Sequence, residues 1–133
     1  MRHMIFLVSI LMLQSPVMAQ NMRNMSDAEQ LGMTAGLAMA CGADKKLDDF
    51  DLIAGRFLAN QSPTEEAEKQ QARIYAQAKW DALQQQKKGN LSDCKEILQR
   101  FDELPLFNSI VYGDGSIKLP DGNWSKPLRP VKR

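Results

Sequence analysis

The sequence predicts a small, all-α domain closed by one disulfide, and three observations predict it. Apolar residues recur at three- and four-residue spacing through four segments between Ser26 and Pro105. Each segment is bounded by residues that cap or break helices. The only two cysteines, Cys41 and Cys94, fall on two of those apolar stripes. The expected architecture is a compact bundle of about four helices over 26–105, a short β-hairpin over 106–120, and an extended basic tail over 121–133.

The chain opens differently. A basic start (Arg2, His3) leads into the apolar run Ile5 to Leu13, then Gln14-Ser15-Pro16, then Val17-Met18-Ala19. A positive start, an apolar middle and small residues at the end are the parts of a secretory signal peptide. The apolar run is far shorter than the roughly 20 residues a membrane-spanning helix needs. Cleavage is expected after Ala19, with a flexible mature start over 20–25 and no later membrane-spanning segment. Removing 19 of the 133 residues leaves 114, enough for one domain. Domains of this size are marginal, and exported ones often carry a disulfide.

In an oxidising compartment two cysteines allow one pairing, Cys41 with Cys94. Closing a loop of about 54 residues restricts the unfolded chain by roughly 4 kcal/mol. A redox-active pair is disfavoured, because the Cys-x-x-Cys spacing is absent.

The helices follow in order. Ser26-Asp27-Ala28-Glu29 is a capping box for the first, which carries Leu31, Ala35 and Ala38 and ends near Gly42. Its run from Gly32 to Ala40 is rich in small residues, so a second helix could approach closely. Asp48 or Asp49 can cap the second helix, with Phe50, Ile53, Ala54, Phe57 and Leu58 on one face. Ser62-Pro63-Thr64-Glu65 opens the third, with Ser62 as cap and Pro63 at the first helical position. It runs to about Gln86, where Lys87-Lys88 suits the dipole and Gly89 ends it. Asn90 caps a fourth helix carrying Cys94, Ile97, Leu98, Phe101 and Leu104, stopped by Pro105. Beyond it, Ile110-Val111-Tyr112 and Ser116 to Leu119 flank Gly113-Asp114-Gly115, a hairpin pattern around an Asp-Gly turn. A lone hairpin is marginal in water, so it must dock on the helices or on a partner.

Charge divides the chain. With Arg2 removed, sixteen basic residues balance 16 acidic ones, which disfavours non-specific nucleic-acid binding. Yet Lys118, Lys126, Arg129, Lys132 and Arg133 stand against Asp121 alone, so the end of the chain is basic and the body acidic. An acidic body with a basic, proline-containing end suits a partner; a solvated terminus is the competing reading.

The chemistry is mostly exclusion. His3, in the leader, is the only histidine, so histidine-based nucleophilic or acid–base catalysis and histidine metal ligation are excluded from the mature chain. Bonded cysteines exclude thiolate nucleophiles and sulfur zinc sites, and no glycine-rich phosphate loop is present. No cofactor is called for. Paired carboxylates could still serve a glycosidase-type hydrolase of cell-wall polymers; Asp48, Asp49, Asp51, Glu65, Glu66 and Glu68 are the candidates, although helix capping and solubility explain them. The segment from Asp44 to Asp51 lacks the alternating ligands of a calcium loop. Met22, Met25, Met33 and Met39 survive cleavage and could bind Cu(I), with core packing the simpler role. A small apolar ligand held between helices is a further possibility. Asn24, Asn60, Asn90 and Asn123 each begin an Asn-x-Ser sequon, relevant only in a eukaryotic secretory pathway.

This layout of leader, several helices, and two cysteines linking an early helix to a late one resembles small periplasmic helical proteins. They include acid-stress chaperones of the HdeA type and immunity proteins that neutralise secreted amidase effectors. The likeness covers roughly residues 26–105 and implies binding to another envelope or secreted protein, as inhibitor, chaperone or accessory subunit. It carries over no site residue. The expected contact surface is the hairpin with Tyr112, Trp124, Lys126, Arg129, Lys132 and Arg133, because aromatics and arginine are favoured at interfaces.

Overall fold

The computed structural model describes residues 24–89 and 93–130. The leader, most of the expected flexible start and the expected Asn90 cap lie outside those residues, as do Lys132 and Arg133.

Four helices carry the body: α1 (Asp27–Ala40), α2 (Lys45–Asn60), α3 (Glu65–Lys88) and α4 (Cys94–Asp102). The capping box forms as expected, with the Glu29 amide donating to Ser26 Oγ at 3.2 Å and the Ser26 amide to Glu29 Oε1 at 3.3 Å. Gly42, just beyond α1, sits at φ 90°, where only glycine is unstrained. Three helix starts differ from expectation, the first being that of α4, whose cap is Asp93, with no side-chain capping bond, and not Asn90. α2 begins at Lys45, ahead of Asp48 and Asp49, and Asp44 at its cap makes no side-chain capping bond. α3 is capped by Thr64, whose Oγ1 accepts from the Ala67 amide at 3.0 Å. Ser62 instead belongs to the end of α2, its hydroxyl donating to the Leu58 carbonyl at 2.9 Å. A side-chain oxygen can serve either neighbouring helix end, and here burial of Ser62 decided for the earlier one.

α1 and α3 run parallel in the tightest helix contact of the fold. A Cβ built on Gly32 would lie 2.9 Å from Ala78 Cβ, and one on Gly36 would lie 2.8 Å from Ala82 Cβ. The small-residue run thus lets the two backbones meet. α2 is tied to α3 through Asp51, which accepts from the Tyr75 hydroxyl and pairs with Lys79 Nζ at 2.8 Å. Burial first, then the bond to the Asp51 carboxylate and its charge, push the Tyr75 phenol far above its ordinary value.

The core joins Leu31 of α1, Phe50 and Phe57 of α2, and Phe101 of α4 to Leu104, Leu106, Ile117 and Leu119. Phe50, Phe101 and Phe107 form an aromatic trio with centroids 5.2 to 6.2 Å apart. The expected disulfide is present: Cys41, capping α1, is bonded to Cys94, which opens α4, across 53 residues with Cα atoms 5.0 Å apart. No helix among the described residues is long and apolar enough to cross a membrane.

After a 3-10 turn (Pro105–Asn108) the chain enters a sheet of order β1 (Ile110–Val111), β2 (Ile117–Lys118) and β3 (Trp124–Ser125), all antiparallel. The two-stranded hairpin expected over 106–120 is therefore three-stranded, and the expected extended tail contributes its third strand. The turn at Pro120-Asp121-Gly122 reverses the chain, with Gly122 at φ 89° and its amide donating to Leu119 at 3.0 Å. Lys126 to Pro130 then return to the body, where Arg129 pairs with Glu68 of α3 at 2.7 Å.

Candidate functional site

The sheet has two faces of opposite character. Pairing sets Val111 opposite Ile117 and Ile117 opposite Ser125; in this row Ile117 is fully buried in the helical core, while Val111, on the edge strand, stays exposed. The alternate row sets Ile110 opposite Lys118 and Lys118 opposite Trp124, and faces outward. Tyr112, two residues from Ile110, joins that outer row. Its ring centroid lies 5.3 Å from that of Trp124. Ile110 is 52% exposed, Tyr112 43% and Trp124 48%, with Leu128 beside them at 65%. Lys118 Nζ and Lys126 Nζ each sit 5.9 Å from the Trp124 ring, within cation–π reach.

Two turns of the same construction hold this face. In Tyr112–Ser116 the Tyr112 amide donates to the Ser116 carbonyl at 2.9 Å, and Asp114 Oδ1 accepts from the Ser116 amide at 2.9 Å. In Leu119–Asn123 the Leu119 amide donates to the Asn123 carbonyl at 2.8 Å, and Asp121 Oδ1 accepts from the Asn123 amide at 2.9 Å. Each aspartate bonds the backbone two residues on and precedes a glycine at positive φ, the chemistry of tight Asx-type turns. The bond from the Ser116 amide holds the Asp114 carboxyl below its ordinary value, with Lys126 adding to the effect.

The sheet is pinned from beneath. Buried Asn60, last residue of α2, donates through Nδ2 to the Gly115 carbonyl at 2.9 Å and to Ser125 O and Oγ at 3.2 and 3.1 Å. Its amide nitrogen is therefore not presented to solvent as a sequon would require. Trp124 stands as the wall between two hollows. One, of about 410 Å³, includes Tyr112, Asp114 and Ser116; the other, of about 390 Å³, includes Phe57, Asn60 and Leu128.

Of the expected contact residues, Tyr112, Trp124 and Lys126 are brought together. Arg129 is not: its guanidinium turns to Glu68 and anchors the chain end to α3. Ile110 and Lys118, which lie in the expected hairpin but not among its expected contact residues, complete the surface with Leu128. The alternation Ile110-x-Tyr112 was the available signal, but membership depends on a cross-strand register that sequence does not state.

The carboxylates considered for hydrolysis are dispersed. Asp48, Asp49, Glu65 and Glu66 are exposed, Asp51 is held by Tyr75 and Lys79, and Glu68 by Arg129. Glu65 and Glu68 do share a hollow of about 140 Å³, but with Arg56 and Arg129 in its wall. Among the described residues, no group of three or more histidine, cysteine, aspartate or glutamate side chains is placed to hold a metal ion. No protein-family model, curated protein or solved structure matches this chain, so no residue role is transferred to it from a relative.

Proposed function

We propose that this is an exported, non-enzymatic protein that binds another envelope or secreted protein through the outer face of its sheet. The observation that carries the reading is the Tyr112–Trp124 pair, half-exposed on a strand face fixed by two Asx-type turns and by Asn60. Aromatic side chains supply large contact area at low entropic cost, and a surface already held in place loses little freedom on binding. Lys118 and Lys126 beside Trp124 would steer an acidic partner surface. The leader-like start of the sequence and the Cys41–Cys94 disulfide support an oxidising compartment as the setting of this activity. Inhibitor, chaperone and accessory subunit are the roles that the likeness to small periplasmic proteins suggests.

Truncation after Pro120 would remove β3 and unsettle the sheet, so point variants are the proper test. Affinity purification from a native envelope extract should recover a partner with the wild-type protein and with Trp80→Ala, whose exposed indole lies on α3. Tyr112→Ala and Trp124→Ala should each lose it. Undiminished recovery by Trp124→Ala would overturn the assignment of this face.

A further inference from the structure

A second surface, on the other side of the molecule's logic from the sheet, lies along the α1–α3 contact. We propose that the groove there binds a linear aliphatic dication, such as a long-chain diamine; this goes beyond the protein-binding reading and does not depend on it. The groove measures about 440 Å³, within the range of small-ligand sites. Met25 and Met33 from the α1 side and Ile74 and Ala78 from α3 form its apolar floor, and Glu29 and Asp81 stand on its rim. No lysine or arginine lines it. Met25 is held in place because buried Gln30 donates through Nε2 to the Met25 carbonyl at 2.9 Å.

The shape follows from the parallel helices. Gly32 lies level with Tyr75 to Lys79, and Gly36 with Lys79 to Ala82. Glu29 and Asp81 are therefore offset along the groove by about 11 Å of helix axis at 1.5 Å per residue, with Met25 lining it beyond Glu29 and Gln85 beyond Asp81. Two carboxylates on different helices, offset along the groove with apolar Met33, Ile74 and Ala78 between them, complement two ammonium groups joined by a polymethylene chain. Methionine side chains adapt to such a flexible chain better than branched ones do. A ligand with one charge would satisfy one end only, and a neutral chain neither.

The test uses the full mature protein with methyl-labelled methionine. Titration with 1,8-diaminooctane should shift the Met25 and Met33 methyl signals and leave that of Met39, which does not line the groove, in place. Octylamine should bind about fivefold more weakly, and 1,8-octanediol more weakly still, as expected for partly exposed ion pairs. Glu29→Gln, which keeps the capping box, and Asp81→Asn should each reduce diamine affinity to the octylamine level. Equal binding of diol and diamine, unchanged affinity in both variants, or an equal shift at Met39 would overturn the proposal. None of these outcomes bears on partner capture by Trp124, so the two readings fail separately.

Discussion

Asn60, closing α2, donates through Nδ2 to the Ser125 carbonyl 65 residues later, and through the same nitrogen to Gly115. One buried amide thereby fixes β3 and the turn before β2 to the helical body. Replacing Asn60 with alanine leaves carbonyls unpaired in a water-poor site, at a cost of about 2 kcal/mol. For a domain of this size that lowers Tm by roughly 8 to 16 °C. Calorimetry should show the loss, and hydrogen exchange should show it concentrated at Ile117 and Leu119. Asn60→Asp should be no better, because it removes the donor while keeping the shape.

The Asn60–Ser125 contact also marks where sequence reading stops. The capping box at Ser26 was legible because its partners stand three residues apart, and the Cys41–Cys94 pairing because there was one choice. Ser62 reads as an α3 cap because Pro63 follows it, whereas the Leu58 carbonyl that its hydroxyl meets leaves no mark in the sequence. β3 reads as tail because Trp124-Ser125 is too short to show a period. Its strand character comes from β2 on one side and Asn60 on the other. The α1–α3 groove escaped for a related reason: α1 is small and apolar around much of its circumference, so its pattern does not say which side α3 will take.

The disulfide gives the second prediction. Cys41→Ser with Cys94→Ser should lower the free energy of unfolding by about 2 to 4 kcal/mol, because the linked termini of α1 and α4 regain freedom in the unfolded chain. Urea unfolding checks it. Reductant should bring the wild-type protein down to the level of the double variant and leave the variant unmoved.

Two glycines in helices should respond in opposite directions to the same substitution. Gly36→Ala gains helix propensity of about 1 kcal/mol, yet its methyl group would meet the Lys79 backbone and lie 2.8 Å from Ala82 Cβ. Forcing α1 from α3 costs about 1 to 3 kcal/mol, and more where backbone must move, so the net effect is destabilising. Gly55, exposed within α2, has nothing within 4 Å of a built Cβ. Gly55→Ala should therefore stabilise by about 0.5 to 1 kcal/mol. Denaturant midpoints of the two variants should bracket that of the wild type.

Tyr75 makes stability fall in alkali. Its phenol is raised above the ordinary value of 10.0 by burial and by its bond to Asp51, so the folded protein keeps a proton that the unfolded chain releases. The contribution is complete below the unfolded value. It is lost as pH rises past that value, at up to about 1.4 kcal/mol per pH unit for one group. Tyr75→Phe cannot ionise there. It should begin less stable at pH 8, having lost the bond to a carboxylate at a cost of about 1.5 kcal/mol, and then decline less steeply. Urea midpoints measured from pH 8 to 11.5 should show the two curves converging above pH 10. Parallel curves would mean that the Tyr75 hydroxyl releases its proton as readily in the folded protein as in the unfolded chain.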